Sequence, residues 1–308
     1  MIWWVLLALA ALLAATPALL ERGRRVMGKV ERKRAPGRFA KLSDGVTHYT
    51  WHGPVKGPVM VMIHGLSTPS WVFDGLVPGL THMGFRVLTY DLYGRGFSDR
   101  PRTPQTRHFF IRQLRELLEH QGVEAEFSLF GYSMGGAIAT IYAAEEPDRV
   151  DRLVLLAPTG MGYEPGPVMA RARRLGHTGA WMWGLLGAWV LQRGAEADAR
   201  LPSSIEDLPA KMRAETGLRG TLPAILSAER NLLGEALEEE HRELARMYVA
   251  VVSVWGEKDA VIPLGAVGKL AEWNRDAYKF VVPGAGHALG YTHPKEVLAA
   301  LQENMREV

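Results

Sequence analysis

The stretch from Phe127 to Glu146, FSLFGYSMGGAIATIYAAEE, constrains this chain more than any other. FSLF reads as a buried strand and AIATIYAAEE as a helix, and between them Ser133 stands among Gly131, Gly135 and Gly136. A turn this sharp from strand to helix forces strained dihedrals on its central residue. It closes only when the residues two before and two after lack bulk, and Gly131 and Gly135 meet that need. Gly136 lets the following helix pack close to the strand. The same turn lifts a hydroxyl clear of its neighbours and aims the free N–H groups of a helix start at it. A serine hydroxyl is a weak nucleophile until a base takes its proton. Chemistry at Ser133 therefore requires a base and an orienting acid from elsewhere in the chain.

Short β-rich runs alternate with helical patterns on either side of this turn, the arrangement of parallel βαβ units. Expected strands are Val46–Trp51, Val59–His64, Arg86–Asp91, Phe127–Tyr132, Leu153–Ala157, Val249–Trp255 and Lys279–Val282. VMVMI and RLVLLA are continuous apolar runs, as strands buried on both faces require. Thr106–His120 carries Phe110, Leu114, Leu117 and Leu118 on one helical face, and Lys295–Arg306 begins after Pro294. From Met161 to Arg246 the alternation stops: the composition is helical, broken by Gly and Pro, and supplies no convincing strand. The pattern predicts an α/β fold, a mostly parallel central sheet flanked by helices. Residues 42–160 and 247–308 form its core, with a helical cap inserted at 161–246.

Three further loops sit where strands of such a sheet end. Val59–His64 runs into Gly65-Leu66, the form of a loop whose N–H groups meet a developing negative oxygen. The N–H groups of Leu66 and Met134 are the expected oxyanion donors, and His64 is expected to hold its own loop. Val251–Asp259, VVSVWGEKD, is a strand followed by an acidic loop in which Glu257 and Asp259 are both available. Asp259 is preferred, because Val261-Ile262-Pro263 follow and fold the loop back over the strand. His287 lies in the glycine-rich VVPGAGHALG after the last strand, whereas His293 directly precedes Pro294 and is expected to cap the final helix.

The chain order Ser133, Asp259, His287 around a G-x-S-x-G turn resembles that of the α/β-hydrolase fold superfamily. The resemblance runs from Leu42 onward and takes in DLYGRGFSDRP (Asp91–Pro101), read as a structural loop. It implies that Ser133 attacks a carbonyl carbon, His287 moves the proton and Asp259 orients the imidazole, with no metal or organic cofactor. Serine rather than aspartate at the elbow argues against haloalkane dehalogenase and epoxide hydrolase chemistry. Combined with the hydrophobic N-terminus, the pattern resembles membrane-anchored monoacylglycerol lipases and implies a small-molecule ester substrate with a lipid-like acyl chain. An aminopeptidase or C–C bond hydrolase would use a similar triad, and a cap acid binding an amine would mark the former; Glu215, Glu229 and Glu238–Glu240 are candidates. A non-catalytic binding module is the alternative from another class, and such proteins generally lose a triad residue. Trp181, Met182, Trp183, Leu185, Leu186 and Trp189 offer either an apolar entrance or packing of the cap on the core.

Ile2 to Leu20 carries no charge, and as a helix it would span about 28 Å, close to a bilayer's hydrocarbon thickness. Trp3 and Trp4 mark one end and Arg22, Arg24 and Arg25 the other, which predicts a membrane anchor at 1–20. The positive-inside rule then places the catalytic domain on the cytoplasmic face. A cleaved signal peptide, giving a secreted protein, is the alternative, although Thr16-Pro17-Ala18 makes a poor cleavage site. The stem at 21–41 is basic: Glu21–Arg34 holds seven Lys/Arg against two Glu, although the whole chain is only +3. A basic stem beside a near-neutral globule argues against nucleic-acid binding. The absence of cysteine excludes disulfides, thiolate catalysis and cysteine-ligated zinc.

Overall fold

A computed structural model describes residues 1–306. Its single sheet has eight strands: β1 (Arg38–Leu42), β2 (Gly45–His52), β3 (Val59–Ile63), β4 (Arg86–Tyr90), β5 (Phe127–Tyr132), β6 (Val150–Leu156), β7 (Ala250–Gly256) and β8 (Tyr278–Val282). Their spatial order is β1-β2-β4-β3-β5-β6-β7-β8. The β1–β2 hairpin is antiparallel and β2 runs antiparallel to β4. From β4 to β8 every pairing is parallel.

Successive residues of the central strands point to opposite faces, and both faces are covered. Val61, Ile63, Leu129 and Leu155 pack with Leu114, Ile138 and Tyr142 on one side. Met60, Met62, Phe130 and Val154 pack with Phe73, Leu289 and Val297 on the other. Each such side chain contributes about 1.5–3 kcal/mol by leaving water, so the sheet's carboxyl edge is a rigid platform for the loops above it.

Two boundaries differ from the sequence expectation. β1 lies within the stretch assigned to the stem, because RFAKL is an edge strand with only Ala40 buried and gives little apolar signal. Between β6 and β7 the cap comprises the helices Pro167–Arg174, Gly176–Asp198, Leu208–Thr216 and Thr221–Asn231. The next helix, Glu238–Arg246, packs instead on the elbow helix Met134–Glu145 and on Gly265–Trp273, and Leu237 and Leu244 join the main core. The chain thus rejoins the core before residue 246. The charge-rich EEEHRELAR of that helix is indistinguishable in composition from the cap surface.

The N-terminal helix Ile2–Gly23 buries none of its residues and has a mean hydropathy of 2.1 over its most apolar window. It runs beside the cap helix Gly176–Asp198, where the Trp181 indole N–H donates to the Leu13 carbonyl at 3.2 Å. Gly184 leaves room for Pro17 there, since a Cβ would come within 2.7 Å of the proline ring. After the helix, Arg25 lies opposite Leu218 in a parallel bridge, its N–H donating to the Gly217 carbonyl at 3.1 Å and its carbonyl accepting the Arg219 N–H at 2.7 Å. The apolar helix and the cap are therefore joined at both the side-chain and the backbone level.

Candidate active site

Ser133 sits between β5 and the elbow helix with φ 55° and ψ −118°, a conformation that L-residues rarely adopt. The glycines around it answer to close approach. A Cβ on Gly131 would meet the Gly135 carbonyl at 2.4 Å, and one on Gly135 would meet the Ile63 carbonyl at 2.0 Å. One on Gly136 would strike Pro158 at 2.5 Å. The turn is held by the Ser133 N–H donating to the Leu156 carbonyl at 2.9 Å and by the Thr159 N–H donating to the Ser133 carbonyl at 3.1 Å. Ser133 is thus a strained residue whose neighbours are bonded in place, and Ala157, between its two partners, shares a positive φ of 42°.

The structure brings His287 and Asp259 to this serine. His287 Nε2 lies 2.9 Å from Ser133 Oγ, and His287 Nδ1 lies 2.8 Å from Asp259 Oδ2. An ionised carboxylate only accepts, so Nδ1 carries the proton and Nε2 is left to accept from the serine hydroxyl. Asp259 is fixed in turn: its Oδ1 accepts the N–H groups of Val261 and Ile262, each at 2.8 Å. Glu257, the other acid of that loop, accepts from the Gly284 N–H at 2.7 Å on the exposed side. His293 stands immediately before the final helix Pro294–Arg306, where its carbonyl accepts the Val297 N–H at 3.1 Å.

Facing the serine, the loop after β3 is tied down by His64. This imidazole is fully buried; Nε2 accepts the Leu92 N–H at 2.9 Å, so the proton is on Nδ1, which donates to the Gly65 carbonyl at 2.8 Å. Burial pushes its pKa down to about 4, so it is neutral at physiological pH. In a trans peptide the Leu66 N–H points opposite to the Gly65 carbonyl, so fixing one orients the other. Buried Arg95 holds the next carbonyl, donating from Nε to Leu66 at 2.9 Å. Among the described residues neither the Leu66 N–H nor the Met134 N–H has an acceptor in the protein. Gly65 lies against the serine; a Cβ there would be 3.3 Å from that of Ser133.

A cavity of about 240 Å³ opens over Ser133 and His287, bordered by Leu66 on one side and by Leu191, Asp198 and Met212 of the cap on the other. A larger cavity, about 800 Å³, lies between the stem and Thr221–Asn231 and borders none of Ser133, Asp259 and His287. Hydrogen-bond geometry, and not size, singles out the smaller cavity as the candidate site. Among the described residues no cluster of three or more His, Asp or Glu is placed to hold a metal ion.

A family model of the α/β hydrolase fold matches residues 58–294. The chain belongs to that family. It is 31% identical over 254 residues to a pimeloyl-acyl-carrier-protein methyl ester esterase of Chromobacterium violaceum, covering 81% of this chain and 95% of the relative. Among solved structures it superposes on a hydrolase from Pseudomonas aeruginosa with a TM-score of 0.71 and 23% identity, over 88% of this chain and 99% of that one. It also superposes on a bacterial membrane phospholipase A with a TM-score of 0.69 and 20% identity, over 99% of this chain and 96% of that one. At these identities the likeness shows the fold alone, and in the second it spans nearly the whole of this chain.

Within this α/β hydrolase several site residues lie outside the sequence expectation. Tyr132 donates from its hydroxyl to the His287 carbonyl at 2.7 Å and stacks on the imidazole with ring centroids 5.6 Å apart. It directly precedes Ser133 in the G-x-S-x-G turn, so a signal for it existed. Arg95 lies in the Asp91–Pro101 loop, whose Asp91 accepts from the His48 ring, the Ser70 N–H and hydroxyl and the Phe97 N–H, all within 2.7–2.9 Å. The cap acids do not border the cavity: Glu215 pairs with Arg100 at 3.1 Å, Glu229 accepts from the Tyr163 hydroxyl, and Glu238 and Glu240 pair with surface arginines. Asp198 is the carboxylate that does border it, and nothing in the sequence sets it apart from the other acids of the cap. Nor do the cap tryptophans form the entrance. Trp183 is buried and donates to the Leu222 carbonyl at 2.9 Å, Trp181 meets the N-terminal helix, and Trp189 faces outward.

Proposed function

We propose that this protein is a serine hydrolase of carboxylic esters, acting on small esters with an acyl chain through an acyl-enzyme. The observation that carries the reading is the continuous relay from Ser133 Oγ through His287 to Asp259, with links of 2.9 and 2.8 Å. In this mechanism Ser133 attacks the carbonyl carbon while His287 Nε2 takes its proton, and Asp259 keeps the imidazole oriented and stabilises its charge. The N–H groups of Leu66 and Met134 hold the oxyanion, at roughly 3 kcal/mol per donor. His287 then protonates the departing alcohol, and water, activated by the same imidazole, releases the acid.

A lipid-like substrate such as a monoacylglycerol is supported by the largely apolar cap wall and by the exposed apolar helix at the N-terminus. The cavity is smaller than the roughly 300–1,000 Å³ of typical ligand pockets, which suits one acyl chain better than two. We assign residues 1–20 to a bilayer anchor whose basic end faces the cytoplasm, and the contacts of Trp181 with Leu13 and of Gly184 with Pro17 then hold this face of the cap against the membrane. A fluorophosphonate probe will label the wild-type protein and leave Ser133→Ala unlabelled; equal labelling of the two would sink the nucleophile assignment. Esters of rising chain length then read the acyl preference, and recovery of the protein in the soluble fraction after carbonate extraction would count against the anchor.

A further inference from the structure

Asp198, the last residue of the long cap helix, is the one carboxylate bordering the cavity over Ser133 among the described residues. The Tyr291 hydroxyl donates to its Oδ2 at 2.7 Å and is its one protein donor among those residues, which leaves Oδ1 free to accept from a bound molecule. Tyr291 follows His287 by one helical turn in sequence, and both border the cavity. Burial raises the carboxyl's pKa, and the Tyr291 hydrogen bond and, to a lesser degree, the charge on His287 oppose that rise.

A departing alcohol is protonated by His287 Nε2, so its oxygen must come within hydrogen-bond reach of that atom. Whatever flanks the imidazole therefore flanks the alcohol half of the ester, and the acyl half extends toward the opposite wall. Given the serine esterase reading above, on which this inference rests, we propose that Asp198 is a specificity-determining residue that accepts a hydrogen bond from a hydroxyl on the alcohol half. The substrate class becomes monoesters of a polyol rather than esters of simple alkanols. An apolar alcohol in the same place would leave a desolvated carboxylate oxygen without a donor, which sites of this kind penalise strongly. The position also separates this protein from an aminopeptidase, whose substrate amine would sit on the acyl side of the serine.

The test compares the hydroxyethyl and propyl esters of one fatty acid, which differ by a hydroxyl in place of a methyl. Wild type will favour the hydroxyethyl ester in kcat/KM by about tenfold or more. Asp198→Leu, which fills the space, and Asp198→Ala, which empties it, will each bring that ratio to within about twofold of unity by losing rate on the hydroxyethyl ester. Asp198→Asn, which keeps the volume, will fall between. Because any disturbance of His287 affects both esters alike, the ratio reads the contact itself. A wild-type protein that turns over both esters equally, or folded variants that lose both in step, would overturn the role of Asp198 while leaving the esterase reading intact. A wild-type protein that hydrolyses neither ester overturns the esterase reading, and this inference with it.

Discussion

The half of the site supplied by the core and the half supplied by the cap are built on different principles. Every core group is held by bonds that leave it one position: Asp259 by two backbone N–H groups, His287 by Asp259 and Tyr132, and the Leu66 peptide by His64 and Arg95. The cap presents mainly side-chain surface, and its long helix Gly176–Asp198 divides that surface among three neighbours. Trp183 faces the other cap helices, Leu191 and Asp198 face the cavity, and Trp181 faces the N-terminal helix. Substitutions in the core half should therefore cost orders of magnitude in rate, whereas those in the cap half should change preference.

Asp259→Asn sharpens that contrast most. The amide can no longer enforce the Nδ1–H tautomer of His287, and kcat should fall by about 10⁴-fold on any ester. Glu257→Gln, two residues away, should stay within about twofold, since its carboxylate meets only the exposed Gly284 N–H. A loss below tenfold in Asp259→Asn would break the claim that the relay works as a unit.

His64→Ala comes next. It frees the Gly65 carbonyl and strands the Leu92 N–H, so the Leu66 donor loses its fixed direction. Loss of one oxyanion donor lowers kcat by about 10²–10³-fold with little change in KM. If KM rose while kcat held, His64 would be shaping the substrate cavity and not the transition state.

How much of this was legible in the sequence follows the same division. The elbow and the run into Gly65-Leu66 could be read because backbone geometry demands particular residues at particular spacings, and the order of Ser133, Asp259 and His287 because it resembles that of the α/β-hydrolase family. Gly135 has no substitute where a Cβ would fall 2.0 Å from a carbonyl oxygen. Asp198 could not be read, since any acid at the end of a surface helix looks the same until Tyr291 is brought against it. β1 was hidden for a related reason: in this edge strand only Ala40 is buried while Arg38 and Lys41 stay exposed, so RFAKL carries no continuous apolar run. The tryptophan-rich helix was legible as apolar but not in its orientation, because apolar residues on every side give no preferred face.

The helix Glu238–Arg246 tests where the cap ends. Its His241 is fully buried, both ring nitrogens lack partners, and the ring stacks on Trp273 of the core with centroids 6.2 Å apart. Burial pushes its pKa down to about 4, against roughly 6.5 in an unfolded chain. The unfolded state therefore takes up the proton first. Its contribution to stability is complete above about pH 6.5 and is lost as the pH falls toward 4, with about 2 kcal/mol gone between pH 7 and pH 5. His241→Leu should remove that share of the acid sensitivity, read by urea denaturation at the two pH values. His64 titrates in the same direction and keeps the remainder. An unchanged acid limb in His241→Leu would mean that this helix opens locally before the core does, and would return it to the cap.

The smallest expected effect lies on the outer face of the cap. Trp189 is 56% exposed and Leu186 is 40% exposed, beside an N-terminal helix that buries nothing. An indole in that position meets the Arg193 guanidinium of its own helix, 5.8 Å from its centroid, at an exposed site, so Trp189→Ala should change stability by no more than about 0.5 kcal/mol and leave turnover of a water-soluble ester unaltered. Indole rings favour the interface between water and lipid. If the docked N-terminal helix brings the cap to the bilayer, the same variant should lose about three- to tenfold when the ester is presented in vesicles, an effect of roughly 1 kcal/mol. The vesicle arm must be run with the full chain, because the cap reaches the surface only through its contacts with that helix. Equal turnover in both presentations would confine membrane contact to the N-terminal helix and leave the cap's exposed tryptophan without a lipid partner.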